Sequence, residues 1–304
     1  MKQILIGIKS DPIEYRYSFE WLFKLMKRLD VRYLQIGGFF ELPLVDDRFF
    51  TELRQEAGQY GVQIRSIFTA HRETSGYFSN NPHLARAARI VYERMINAGA
   101  LTGARCVGSS MGSVFRDRMA TKDECIRLYI AETKSLMQVA KQAGLHSLSM
   151  EVMSCIAEPP TLPGEIDQIM EILGKHHAAN RTTTVPVYIL GDTSHGYCDQ
   201  NRRVVHSNYE LFEHSIPHMC EFHFKNTDAV YGSTYGFSAA EIAKGHVDLA
   251  RVKELLLKHQ DRWPEAEMTG YLEHPGPKLG RDYSDYLLEK MLTESLVSIR
   301  KVFG

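Results

Sequence analysis

Four short apolar segments of this chain each close on a residue that binds hard metal ions. They read Leu145-His-Ser-Leu-Ser-Met-Glu151, Pro186-Val-Tyr-Ile-Leu-Gly-Asp192, Met219-Cys-Glu-Phe-His223-Phe-Lys225 and Met268-Thr-Gly-Tyr-Leu-Glu273. In a parallel barrel every strand aims its C-terminal end at the same mouth. Glu151, Asp192, His223 and Glu273 would then meet as an open oxygen and nitrogen site for one divalent metal ion. Such donors suit Mn²⁺, Mg²⁺ or Co²⁺, with Zn²⁺ a further option, better than a thiolate-selected metal. One glutamate at a strand end is most often a solvated loop residue; four such residues on consecutive strands make that reading unattractive.

The elements that must position these residues alternate along the whole chain. Eight runs read as strands: Gln3–Ile8, Tyr33–Gly37, Val62–Phe68, Ala104–Ser109, Leu145–Glu151, Val187–Asp192, Met219–Phe224 and Thr269–Glu273. Most are continuously apolar, as expected of strands buried on both faces. Between them lie amphipathic stretches, Ser18–Arg28, Phe50–Tyr60, His83–Ala98, Lys122–Ala143, Glu165–Lys175, Asn208–His214, Asp248–His259 and Tyr283–Val302. Gly61 and Gly144 stand where a helix should stop and a strand begin. This rhythm predicts an α/β fold, a single (β/α)8 TIM barrel, with one catalytic domain over residues 1–304. The longest irregular stretches all follow strands, on the face where barrel active sites are built.

Bulk composition is that of an ordinary globular protein: 304 residues, 44% hydrophobic and 24% charged. A formal net charge of -1 provides no global field for nucleic acid or a membrane surface. The five cysteines lack CxxC spacing and read as reduced thiols rather than a disulfide framework. No run approaches the ~20 apolar residues that span a bilayer. The expectation is a cytoplasmic protein whose partner is a small molecule, with homodimer or tetramer left open.

Further residues could serve a substrate. In Gly191-Asp192-Thr-Ser-His195-Gly196 the D-x-x-H spacing could put both side chains on one side of a tight turn. Asp192 would then hold metal and His195 touch substrate, unless His195 is an ordinary loop histidine. Ser109, Ser110, Gly112 and Ser113 follow strand four and offer donors to a phosphate, with Arg116 and Arg118 in the same loop. Lys9 and Ser10 end strand one, and Lys278 and Arg281 follow strand eight. These charges could neutralise a dianion; a polar loop with solvated arginines is an equally good reading. His71 closes strand three and could line the pocket, and Phe39, Phe40, Tyr77, Phe78 and Tyr235 could exclude water or simply pack.

Ser149-Met-Glu151, Gly191-Asp192-Thr-Ser-His195, Glu221-Phe-His223-Phe-Lys225-Asn226, Gly245-His-Val-Asp248 and Tyr271-Leu-Glu273 together resemble the xylose isomerase-like sugar isomerase/epimerase superfamily. The resemblance spans essentially the whole chain. It implies, in the ketose 3-epimerase branch, that Glu151, Asp192, His223 and Glu273 bind one divalent ion. Glu151 and Glu273 would also exchange a proton with a substrate carbon, and His195 would bind the oxygen beside it. A family arginine often follows the seventh-strand histidine; residues 225–237 contain none, so that contact is missing or falls to Lys225. Glu273-His-Pro-Gly276 and the Gly-Asp-Thr-Ser-His-Gly stretch resemble the erythrulose-phosphate epimerases of bacterial erythritol catabolism. An AP-endonuclease-type DNA repair enzyme shares the superfold, but it needs a richer set of ligands and a basic face. A catalytically silent barrel is disfavoured by the four intact ligands.

Overall fold

The structure, a computed structural model, describes residues 2–37, 41–69, 81–275 and 285–304. In chain order the elements are β1 (Gln3–Lys9), α1 (Phe19–Arg28), β2 (Tyr33–Gly37), α2 (Asp47–Gln59), β3 (Gln63–Thr69), α3 (Pro82–Thr102) and β4 (Cys106–Ser109). They continue with α4 (Lys122–Gln142), β5 (Ser147–Glu151), α5 (Pro163–Ala179), β6 (Val187–Asp192), β7 (Tyr197–Cys198), β8 (Val204–His206) and α6 (Asn208–Ser215). The last are β9 (Met219–Phe224), α7 (Ala239–Ile242), α8 (Leu249–Lys258), β10 (Glu267–Leu272) and α9 (Asp285–Phe303). Eight strands form a closed barrel in the order β1-β10-β9-β6-β5-β4-β3-β2, with parallel pairings, and β7 and β8 form a separate hairpin. This is the (β/α)8 barrel that the alternation of the sequence implies.

Helix endings decide where three of the strands begin. Gly61, Gly103 and Gly144 adopt φ of +73°, +76° and +83°, a region that glycine enters without steric cost. Each next residue bonds back to the helix it has left: Val62 N–H to Ala57 O at 2.9 Å, Ala104 N–H to Gly99 O at 2.9 Å and Leu145 N–H to Ala140 O at 3.0 Å. Those bonds complete left-handed helix caps. They explain why β3, β4 and β5 start one to two residues later than hydrophobicity alone indicates.

Contacts divide the chain into two units. One is built on β1, β2, β9 and β10 with α1, α6, α8 and α9. Its core includes edge-on Phe212, Phe222, Phe224 and Phe303, with successive ring centroids 5.6, 4.6 and 4.9 Å apart. The α1 helix turns Leu22, Phe23, Leu25 and Met26 inward and is capped by Ser18, whose side chain accepts from Trp21 N–H. The other unit is built on β4, β5 and most of β6 with α3, α4 and α5, around buried Val107, Leu148, Met150 and Ile189.

Two stretches expected to be irregular carry short elements. The β7–β8 hairpin turns on Asp199, whose Oδ1 accepts from Asn201 and Arg203 N–H at 2.8 and 2.9 Å. A side-chain turn of this kind leaves no hydrophobic period to read. In the loop after β9, Glu241 gathers donors from Gly236 N–H at 2.9 Å, Ser238 N–H at 3.1 Å and Ser238 Oγ at 2.6 Å. His274 Nε2 lies 3.1 Å from the same carboxylate. None of the five cysteines, all among the described residues, is in a disulfide, and no described helix is long and apolar enough to cross a membrane.

Burial alone would raise the Glu241 pKa, but the bonds from His274, Ser238 and Gly236 outweigh it and hold the carboxyl at about 2. Its folded value is below its unfolded one, so its stabilisation is present above the unfolded value and is lost as pH falls through the folded one. Urea unfolding between pH 5 and about 2 should therefore show a loss of stability that is smaller in Glu241→Gln.

Candidate metal centre

The site is assembled from strand ends, so register comes first. Ile8 pairs with Leu272, which brings Lys9 level with Glu273. Tyr271 pairs with His223, and Lys9 with Gln35. Beyond β6, the Thr193 hydroxyl donates to the carbonyls of His223 at 3.2 Å and Lys225 at 2.7 Å, and accepts from Lys225 N–H at 3.0 Å. Glu273 N–H donates to Phe224 O at 3.1 Å. The backbone behind Asp192, His223, Lys225 and Glu273 is thus cross-braced.

These bonds bring six of the sequence-identified residues together: Lys9, Asp192, His195, His223, Lys225 and Glu273. Asp192 and Glu273 are 2% and 6% exposed, and His223 is fully buried. His223 Nδ1 lies 3.3 Å from Glu273 Oε2 and 3.9 Å from Asp192 Oδ2. His195 Nε2 stands 3.4 Å from Asp192 Oδ2, on the same side of the turn, as the D-x-x-H spacing requires.

Charge balance governs these carboxylates. Burial pushes the Glu273 carboxyl up, yet His223, Lys225 and Lys9 together pull it well below the usual carboxylate range. Burial likewise opposes ionisation of Asp192, and His195, Lys225 and His223 reverse it. Lys9, a candidate phosphate contact by sequence, is engaged by acids. Its ammonium lies 2.6 Å from Glu273 Oε1 and 2.8 Å from Asp11 Oδ2, and the residue is 1% exposed. The Lys225 ammonium stands 2.5 Å from Glu273 Oε2 and 3.4 Å from Asp192 Oδ2.

Two supporting residues escape sequence reasoning. Gln35 Oε1 accepts from His223 Nε2 at 2.7 Å, which turns Nδ1 toward Glu273 and Asp192. Ser194 donates to Asp192 Oδ1 twice at 2.7 Å, from N–H and from Oγ. Gln35 carries one readable signal, an amide inside the otherwise apolar run Tyr33-Leu-Gln-Ile-Gly37.

The donor chemistry fits a divalent cation. Asp192 Oδ2 is buried without a hydrogen-bond donor, and Glu273 Oε2 meets Lys225 without hydrogen-bond alignment. One ligand atom each from Asp192, His223 and Glu273 lies within 4.8 Å of the others. A buried acceptor left in this condition is costly unless a cation satisfies it.

Glu151, Ser109, Ser110 and Arg116 lie in the other unit. Glu151 ends β5, 2% exposed, in register with Leu190 on β6, the strand that runs on to Asp192. Ser109 is hydrogen-bonded to the hydroxyl of Tyr129, which burial pushes up to about 12. Ser110 is buried and donates its N–H to Thr69 O at 3.2 Å. Arg116 folds onto its own loop, donating to Ser113 Oγ and Val114 O at 3.0 Å each, and lies 3.7 Å from Glu158 Oε1. Its guanidinium is therefore already engaged. His71, Phe39, Phe40, Tyr77, Phe78, Gly276, Lys278 and Arg281 lie outside the described residues. Tyr235 is described, with the Lys244 ammonium 4.1 Å from its ring centroid.

No family model and no curated protein sequence matches the chain. Solved structures do. A candidate xylose isomerase from Rhodospirillum rubrum superposes with a TM-score of 0.76 at 19% identity over 100% of both chains. D-Psicose 3-epimerase from Clostridium cellulolyticum H10, crystallised with D-tagatose, gives 0.70 at 14% identity, again over 100% of both. L-Ribulose 3-epimerase gives 0.66 at 13% identity over 99% of this chain and 94% of its own. What these likenesses share with the chain is the barrel fold.

Gln35→Leu should leave the fold intact and weaken Mn²⁺ binding by ~10–100-fold, the usual effect of removing the partner that orients a ligating imidazole. Isothermal titration of the two proteins measures it; equal affinities would show that Gln35 does not orient the ligand.

Proposed function

We propose that the chain is a metal-dependent sugar epimerase or isomerase that acts on a small ketose, free or phosphorylated. The observation that carries the reading is the buried donor set of Asp192, His223 and Glu273, one ligand atom of each within 4.8 Å of the others, with Asp192 Oδ2 lacking a hydrogen-bond partner. Glu151, a buried carboxylate at the end of β5, is the fourth ligand by the sequence resemblance. Mn²⁺, Mg²⁺ or Co²⁺ matches the ligands, with Zn²⁺ also accommodated. Sugar 3-epimerases among the structural neighbours, acting on psicose and ribulose by name, point to the same class of substrate.

When bound, the ion supplies Lewis-acid stabilisation of the negative charge that develops on the ketose oxygens. The protein does the rest. A C–H beside a ketone is weakly acidic, and an ionised carboxylate in a dry site can accept its proton. Glu273 is suited to that role, since Lys9, Lys225 and His223 keep it ionised despite burial. Glu151 serves the opposite face. One glutamate removes the proton, the C–H electrons pass into an enediolate, and the other returns a proton to the same carbon with inverted configuration. His195 binds the neighbouring substrate oxygen while Asp192 fixes its ring. Erythrulose phosphate is the specific candidate named by the sequence resemblance. Arg116 and the Ser109–Ser113 loop are its phosphate contacts in that case, and Arg116 must exchange its present partners for the phosphate.

A panel of tetruloses, pentuloses and hexuloses, each with and without phosphate, tests the reading. EDTA should abolish turnover and Mn²⁺ restore it. In D₂O the product should carry deuterium at the epimerised carbon; unlabelled product would instead indicate hydride transfer. Glu151→Gln and Glu273→Gln should each lower kcat by ~10²–10⁴, the range of a lost general acid–base contribution. Arg116→Ala should impair only the phosphorylated substrate; equal loss on both forms would remove the phosphate role of this loop.

A further inference from the structure

Asp192 and Glu273 each have one oxygen held by a group that can stay in place. Asp192 Oδ1 takes both Ser194 donors. Glu273 Oε1 takes Lys9, a residue sealed from solvent. The oxygens left to face the centre are Asp192 Oδ2 and Glu273 Oε2. Both lie near one ammonium, that of Lys225, at 3.4 and 2.5 Å. An Mg²⁺ or Mn²⁺ ion must approach such oxygens to ~2.0–2.2 Å. Two cations cannot share so small a space, because their repulsion at that separation is unscreened.

We propose that Lys225 is a built-in counter-ion, one that competes with the divalent ion for Asp192 Oδ2 and Glu273 Oε2 and is displaced when the ion binds. The inference rests on the metal site proposed above. Anchoring of the residue permits the exchange. Its N–H and C=O are both tied to the Thr193 hydroxyl, so the backbone stays fixed. The side chain, 16% exposed, has an outlet for a flexible four-carbon stem. The two lysines thus divide their work. Lys9 holds Oε1, and Oε2 is the oxygen left beside Lys225 and His223 Nδ1. Lys225 keeps the inward oxygens compensated whenever no ion is bound, so that two buried carboxylates never face each other unpaired.

Mn²⁺ binding to EDTA-treated wild type and Lys225→Met is the test, read by titration calorimetry and by thermal unfolding. Loss of the competitor should tighten Mn²⁺ about tenfold or more, the scale of one charge-assisted contact. Without metal the variant should melt below wild type, and saturating Mn²⁺ should raise its Tm by more than it raises the wild-type Tm. Lys225→Gln, also neutral, serves if the Met variant does not fold in EDTA. An independent measurement uses wild type alone: amine acetylation followed by peptide mapping should modify Lys225 faster with Mn²⁺ than without. Affinities equal within twofold, or labelling that Mn²⁺ does not increase, would overturn the proposal and leave the metal site standing. No Mn²⁺ binding by either protein would overturn the metal site and this inference together.

Discussion

Uncompensated negative charge in a dry interior is the constraint that shapes the mouth of this barrel. Asp192 and Glu273 are almost fully buried, and an isolated carboxylate in such a place costs several kcal/mol even after relaxation. Lys9, Lys225, His195 and His223 each come within about 4 Å of one of the two. No single element supplies them: β1, the turn after β6, β9 and the residue after its end all contribute. Strand register therefore carries electrostatic as well as steric consequences, because a slip in β1 or β10 would part Lys9 from Glu273.

A second layer holds the charged groups in place. Thr193, Ser194 and Gln35 are uncharged and buried, and each fixes an atom of the charged set. Farther out, Asn226 Oδ1 accepts from Thr227 and Val247 N–H, both at 2.9 Å, which closes the loop after β9 at its base. A Cβ on Gly245 would come within 2.0 Å of Asn226 Nδ2, so the Gly245-His-Val-Asp248 motif has a packing role beside its resemblance to a family pattern. Glu241 ties the same loop to His274, the residue after Glu273.

The barrel was legible in the sequence because eight apolar runs alternate with amphipathic ones, and because Gly61 and Gly144 mark the junctions. That Asp192, His223 and Glu273 would meet was legible for the same reason: residues of these types recur at strand ends, and strand ends share a mouth. What escaped depends on partners distant in sequence. Gln35 meets His223 across 188 positions, and Lys9 meets Glu273 across 264. Charge type alone made Lys9 look like a phosphate donor; only register shows it committed to a carboxylate. The β7–β8 hairpin was missed because Asp199 builds it from local side-chain bonds rather than from a hydrophobic pattern.

The orientation of His223 reaches beyond its hydrogen bond. Its Nε2 is turned outward to Gln35, so the nitrogen offered to the centre is Nδ1. Nδ1 sits next to the ring carbon that joins the β-carbon, whereas Nε2 is carried at the far end of the imidazole. The lever arm from strand to ligand atom is correspondingly short, and rotation of the ring moves that atom little. Glu273 and Asp192 are likewise clamped at their outer oxygens. If the proposed ion binds there, the spacing of the strands sets the aperture it must fit, and ionic radius, more than side-chain give, would sort one divalent cation from another.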